Sequence, residues 1–235
     1  MDAQSEGTRL QEFLGLEWPP VAVAFREASP PEIRRIDASS PAACAYWRLA
    51  AEGKVFYTLA SDHYNCPIGA HTLGIELPEA TAKALEGLVE TMVGIQYIRR
   101  EEIPALPRRR GAFGVSVYAP LDKMPCEPDV VLVRGNAKQL MLLAEAAQAA
   151  GIGADGATMG RPTCAILPQA IQSGRAASSY GCIGNRVYTG LGDDEGYYAI
   201  PGSKVSEVVG MLGAIKEANR QLETFHRARL GKGAS

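Results

Sequence analysis

Three of the five cysteines lie in short segments that are rich in glycine and proline. A buried structural cysteine behaves as a small hydrophobe among apolar neighbours, whereas a thiolate that binds a metal or reacts needs turns and backbone N–H groups around it. The pattern therefore indicates site residues whose thiols face a ligand. The three segments are Asn65-Cys66-Pro67-Ile68-Gly69, Arg161-Pro162-Thr163-Cys164 and Tyr180-Gly181-Cys182-Ile183-Gly184.

Cysteine catalysis is an alternative use of the same thiols. A nucleophilic cysteine needs a base within hydrogen-bond reach or a positive neighbour that lowers its pKa. Cys66 follows His63 closely in the chain, and Cys182 precedes Arg186. His63 with Cys66 also allows a mixed metal site of imidazole and thiolate. The sequence contains no Cys-x-x-Cys pair, which disfavours a disulfide oxidoreductase.

Composition limits the partners and the compartment. The chain has 235 residues, a formal net charge of -2 and a pI near 6.0, so it lacks the basic surplus that attracts nucleic-acid backbones. Its first residues are polar and acidic, unlike a secretory leader, and its apolar stretches are too short to span a membrane. We therefore expect a cytoplasmic protein in which an odd number of thiols stays reduced.

Turn residues divide the chain into short strand and helix patterns. The sequence predicts strands over 21–25, 55–59, 113–118, 130–133, 177–180, 186–189 and 197–200, and helices over 8–16, 41–53, 67–74, 78–94, 137–150, 162–173 and 203–230. The mixture of local and crossover connections predicts an α/β or α+β fold, a single domain over 1–235 with a mixed β-sheet flanked by helices. Residues 1–7 and 231–235 are expected to be flexible ends.

Several strings spread over most of the chain resemble a known family. In the first half they are Cys44 with Trp47-Arg48-Leu49-Ala50-Ala51-Glu52-Gly53, Phe56-Tyr57-Thr58-Leu59 and His63-Tyr64-Asn65-Cys66-Pro67-Ile68-Gly69-Ala70. In the second half they are Pro128-Asp129-Val130-Val131-Leu132-Val133, Arg161-Pro162-Thr163-Cys164, Gly181-Cys182-Ile183-Gly184-Asn185-Arg186 and Ile200-Pro201-Gly202. As a set they are similar to the domain-of-unknown-function 169 family, also called ArCR, which has no assigned reaction.

The resemblance implies which thiols belong together. The family pattern has cysteines at the positions of Cys44, Cys66, Cys164 and Cys182, and none is expected at Cys126. Cys126 is therefore a fifth ligand, a replacement ligand or a spectator. A core role also stays open for Cys44, which has alanine neighbours, and for Cys164, which precedes an apolar run.

Four thiolates at one point would select a thiophilic metal. Tetrahedral sulfur ligation suits zinc or an iron-sulfur cluster, whereas calcium and magnesium prefer oxygen. The intervals between the four cysteines are 22, 98 and 18 residues, unlike the close pairs of structural zinc sites. Because cluster ligands can come from separated loops, the spacing favours a [4Fe-4S] cluster, with zinc as the alternative cofactor.

The sequence thus predicts a cysteine-ligated metalloprotein that uses an iron-sulfur cluster for redox or Lewis-acid chemistry. Arg161, Asn185 and Arg186 adjoin the cysteines and are candidates for contacts to the cofactor or to an anion. One competing hypothesis is a cluster-free protein that binds a small molecule at the sheet edge, and another is a cysteine-dependent hydrolase or transferase. The expected partner is a small molecule or a redox protein, with no nucleic acid and no membrane, and a homodimer stays open.

Overall fold

The computed structural model describes residues 2–37, 39–154 and 161–232. Its α-helices are α1 (Ala3–Leu14), α2 (Ala45–Ala51), α3 (Pro67–Thr72), α4 (Glu79–Gly94), α5 (Ala137–Ala149), α6 (Ile166–Ser173), α7 (Ile183–Thr189) and α8 (Val205–Lys232). Its strands are β1 (Val21–Arg26), β2 (Phe56–Leu59), β3 (Val115–Pro120), β4 (Val130–Asn136), β5 (Ala177–Ser179) and β6 (Glu195–Pro201). Short 3-10 turns occupy Ala60–His63, Arg100–Ala105, Leu121–Lys123, Thr163–Ala165 and Gly202–Lys204.

The six strands form one sheet in the order β2-β3-β1-β4-β6-β5. This confirms the predicted single domain of mixed α and β structure. The pairing differs in one respect from the predicted mixed sheet, because the strand pairs of the described residues are all antiparallel. The one parallel contact there is an isolated bridge between Arg35 and Tyr57. The chain after β4 does return in a parallel direction, because β4 and β5 are both antiparallel to β6, but β6 lies between them. The connecting helices α5 and α6 cover opposite faces of the sheet.

Alternation along the strands gives the sheet two buried faces. In β1, Ala22 and Ala24 join one apolar cluster, whereas Val21, Val23 and Phe25 join the other. Successive side chains of a strand point to opposite faces, so these clusters are the two layers of core. We call them the first face, covered by α1, α5 and α8, and the second face, covered by α2, α3 and α6.

Most predicted elements are present, with shifts at their ends. The exception is 186–189, predicted as a strand from its β-branched and aromatic residues but found in α7. The helix begins after Gly181, at a φ of 83°, and ends at Gly190, at a φ of 65°, so two glycine turns decide its length. Residues 3–7, expected as a flexible end, lie in α1, where Glu6 and Gly7 are buried.

The ends of the chain are only partly described. Residues 231–232 lie within α8, and the other residues expected to form a flexible C-terminus fall outside the described ranges. No helix within the described ranges is long and apolar enough to cross a bilayer.

Gly202 supports a close approach between chain segments that offers a test of the fold. A Cβ at this position would lie 1.7 Å from the Pro128 carbonyl oxygen, and backbone atoms cannot move aside cheaply. We expect Gly202→Ala to lower the free energy of unfolding by about 2 kcal/mol because of this overpacking. Urea denaturation followed by circular dichroism measures the change.

Gly210 is the matched control, because it lies in exposed helix with no heavy atom within 4 Å of an added Cβ. There the expected change is a gain of about 0.5 to 1 kcal/mol, since alanine restricts the unfolded chain and favours helix. Equal effects of the two substitutions would contradict the assigned contact.

Candidate functional site

A cavity of about 420 Å³ opens beside the second face. Cys44, Cys66, Cys164 and Cys182 all line it, although they come from four separate segments of the chain. Burial differs among them, because Cys44 and Cys164 are buried and the other two are partly exposed. The structure thus brings the four predicted cysteines to one place, with two thiols in the floor and two nearer solvent.

Each of these cysteines stands at the start of a helix. Cys44, Cys66 and Cys182 are the residues that immediately precede α2, α3 and α7. Cys164 lies in the 3-10 turn that leads into α6. None of these three thiols accepts a hydrogen bond from the first turn of its helix, so the sulfur atoms do not cap the helix N-termini. Four helix starts therefore present thiols to a shared space.

Close contacts fix the cysteine segments relative to each other within each half of the site. A Cβ on Gly69 would lie 2.7 Å from the Ala43 side chain and 3.0 Å from the Cys66 sulfur, so only glycine lets α3 approach this segment. In the second half, the Cys182 backbone N–H donates to the Thr163 hydroxyl at 2.5 Å. This bond fixes the position of the α7 start relative to the turn that carries Cys164.

Burial keeps the floor thiols protonated. It raises the pKa of Cys44 to about 12 and raises the pKa of Cys164 well above its usual value. Smaller contributions come from the other thiols of the site, since Cys66 and Cys182 each oppose ionisation of both floor residues. Like charges that oppose one another in this way lie close in space. Burial thus favours the neutral form of the Cys44 and Cys164 thiols.

Asn185 contributes the unpaired polar group of the cavity wall. Its side chain is 1% exposed, lines the cavity and lies near enough to the Cys44 thiol to favour the thiolate form. Neither its nitrogen nor its oxygen makes a hydrogen bond of ordinary geometry with any described residue. An unpaired buried amide costs about 1 to 3 kcal/mol, and such groups in native proteins normally have a partner. The Asn185 amide thus lies beside the Cys44 thiol without a hydrogen bond of ordinary geometry.

The two predicted arginines have different surroundings. Arg161 lines the cavity, stacks over the Tyr97 ring at 4.9 Å and forms a 3.4 Å ion pair with Glu102. Arg186 is absent from the described lining residues. Its guanidinium donates to the carbonyl oxygens of Gly192 and Tyr180 at 2.7 and 2.5 Å, and so holds the loop after α7.

Two other residues singled out from the sequence lie away from the cavity. Cys126 packs against the first face, on the other side of the sheet from the four thiols. His63 is buried, its Nε2 lies 2.9 Å from the Thr58 hydroxyl, and it is not among the described lining residues. Burial lowers the pKa of His63 to about 4, which makes it a poor base near neutral pH.

The wall opposite the thiols was not predicted from the sequence. It consists of apolar side chains from α4 and from the segment that follows this helix: Leu85, Leu88, Val89, Met92, Ile98, Ile103 and Leu106. The spacing of the first four along α4 is that of one helix face, which was the available signal. Nothing in the sequence indicates that this face meets a cavity rather than a core.

The thiols do not stand in the arrangement of a single-ion site. Among the described residues, no group of three or more His, Cys, Asp or Glu side chains stands ready to hold a metal ion. The thiols therefore share a cavity without forming the tight shell of one ion.

Differences in burial predict an order of thiol reactivity. We expect N-ethylmaleimide at pH 8 to label Cys66 and Cys182 of the metal-free protein at least about tenfold faster than Cys44 and Cys164, because only the thiolate reacts. Peptide mass spectrometry measures the rates, and labelling in guanidinium chloride supplies the control in which burial is removed. Equal rates for the four thiols in the native protein would contradict the assigned burial.

Comparison with known proteins places the chain among uncharacterised relatives. It is 25% identical over 220 residues to the uncharacterized protein MJ0308 of Methanocaldococcus jannaschii, an alignment that covers 88% of this chain and 92% of that protein. No solved structure matches it. The model of the family described as DUF169, uncharacterised ArCR, matches residues 9–210, a range that includes all four cysteines of the cavity. The chain therefore belongs to the DUF169 family.

Proposed function

We propose that the chain is a metalloprotein that binds a [4Fe-4S] cluster through Cys44, Cys66, Cys164 and Cys182. The observation that carries the proposal is the convergence of these four thiols on one cavity from segments up to 98 residues apart in the sequence. Packing in the core of the second face accounts for the burial of Cys44 and Cys164, but Cys66 and Cys182 stay partly exposed beside the same cavity. A thiophilic guest gives the convergence a purpose.

The choice of a cluster over a single ion follows from spacing. A zinc ion with four thiolates at about 2.3 Å would draw all four sulfur atoms into one tight shell. The described side chains do not form such a shell. A cubane attaches its four cysteines to different iron atoms and so accepts thiols that lie farther apart than the ligands of one ion.

Protonation supports the same proposal. Burial favours the neutral form of the Cys44 and Cys164 thiols, and Arg161 is the one arginine or lysine among the described lining residues. A cationic centre would displace the thiol protons and offset part of the thiolate charge, and the Arg161 guanidinium in the lining would lie on the side of the remaining negative charge. Because Glu102 already pairs with Arg161, the cavity without a metal holds little net charge.

Asn185 would act as a hydrogen-bond donor to the centre. Its amide lies next to the Cys44 thiol at the beginning of α7, in a residue that lines the cavity. Hydrogen bonds to cluster or thiolate sulfur tune the reduction potential of iron-sulfur proteins. When bound through all four cysteines, the cluster would supply one-electron transfer, whereas Lewis-acid chemistry would require an iron left open by binding through only three of them. The apolar wall from α4 would limit the access of water.

Anaerobic reconstitution with iron and sulfide tests the proposal. We expect about four iron and four sulfide ions per chain and a broad absorption at about 400 nm. Cys66→Ser and Cys164→Ser should each lower the bound iron by more than about half, because each removes a thiolate ligand. Iron analysis and the absorption spectrum measure both effects.

Cys126→Ser is the matched control, since Cys126 lies on the first face and should leave the bound iron unchanged. Iron binding that is equal in all these variants would overturn the proposal. Binding of one zinc ion with no iron would replace the cluster with the zinc alternative.

Asn185→Leu separates a ligand contact from a structural role. The substitution removes an unpaired buried amide, so the metal-free variant should be as stable as the parent or more stable by about 1 kcal/mol. The reconstituted variant should instead lose its cluster faster on exposure to a chelator, because a donor to the centre is missing. Urea denaturation and the decay of absorption measure the two effects, and a variant that loses stability without its metal would contradict the assigned role.

A further inference from the structure

Helix α4 covers the cavity without being packed into a core. It has sixteen residues, none of them buried, and it packs mainly against α3. Its apolar side chains Leu85, Val89 and Met92 nevertheless all line the cavity. An amphipathic helix is normally stabilised by burying its apolar face against other side chains. Here the apolar face of α4 lines the cavity, so a bound apolar molecule would supply the burial that stabilises it.

Side-chain contacts connect this cover to the thiol segments. Arg161, three residues before Cys164, stacks on Tyr97 and pairs with Glu102, and both of these belong to the segment that follows α4. Arg99 also pairs with Glu102 at 2.9 Å, and Arg100 pairs with Glu90 of α4. The cover is thus attached through polar contacts at its margin, while its centre is apolar.

The size and charge of the cavity describe the guest. A volume of about 420 Å³ falls in the range of sites for small organic molecules. The wall formed by α4 differs chemically from the thiol wall, because its lining side chains offer a metal no sulfur or oxygen ligand except the thioether of Met92. Arg161 and Glu102 carry opposite charges, line the cavity and pair with each other. A balanced, apolar lining favours an uncharged molecule, since burying an unpaired charge is costly.

We propose that the cavity binds a neutral, predominantly apolar small organic molecule between the thiols and the inner face of α4. Contacts with Leu85, Val89 and Met92 supply the affinity, and α4 closes over the molecule. The site extends the cysteine centre on its apolar side, but the binding of the organic molecule does not depend on a metal. The two proposals can therefore fail separately.

Titration of the metal-free protein with 1-aminoanthracene, a neutral fluorescent aromatic, tests this site. Chelator-treated protein removes any contribution from a cluster. We expect a blue-shifted, saturable increase of the probe emission with one site per chain. Val89→Trp and Met92→Trp place a larger side chain in the cavity and should weaken binding at least tenfold each.

Ala84→Trp is the matched control, because Ala84 is an exposed residue of the same helix and is not among the described lining residues. It should bind the probe as the parent does, which also controls for the added indole and for effects on the helix. Circular dichroism checks that all variants are folded. No saturable binding by the parent, or equal weakening by Ala84→Trp and Val89→Trp, would overturn the proposal, whatever the result of iron reconstitution.

Discussion

Burial of the second face of the sheet is the interaction on which the site depends. Val23 of β1, Leu132 of β4 and Ala199 of β6 contribute neighbouring patches of that face. Helix α2 from the first half of the chain and α6 from the second half both cover it. Because the same apolar surface holds both helices, the segments that precede them, with Cys44 and Cys164, are brought close together. The hydrophobic effect at the sheet thus positions the sulfur atoms, without any bond between them.

The sequence predicts the thiols better than it predicts their surroundings. Glycine and proline beside Cys66 and Cys182 reveal local turns, because those residue types act on the backbone where they stand. The family pattern then groups these two with Cys44 and Cys164. By contrast, Arg186 has the right position in the chain, but its guanidinium is taken up by backbone carbonyls, a contact that depends on how the following loop folds.

The same distinction explains the errors in the fold. The strands β1, β2 and β4 are short apolar runs between turn residues, and their type follows from local pattern. Residues 186–189 have strand propensity but become helix, since Gly181, Gly190 and the Thr163 hydroxyl fix the ends of α7 from outside the segment. The apolar side of α4 can likewise be predicted from the periodicity of its sequence. The cavity beside it cannot, because its shape depends on segments from both halves of the chain.

The sparse packing of α4 has a kinetic consequence. A helix without buried side chains can detach while both cores of the sheet remain closed, so its opening costs much less free energy than global unfolding. Amide hydrogens in α4 then exchange with solvent when this helix alone detaches, whereas those of β1 and β4 exchange only when the whole domain unfolds. For the organic molecule proposed above, entry and release would then depend on the local opening of one peripheral helix and not on the unfolding of the domain.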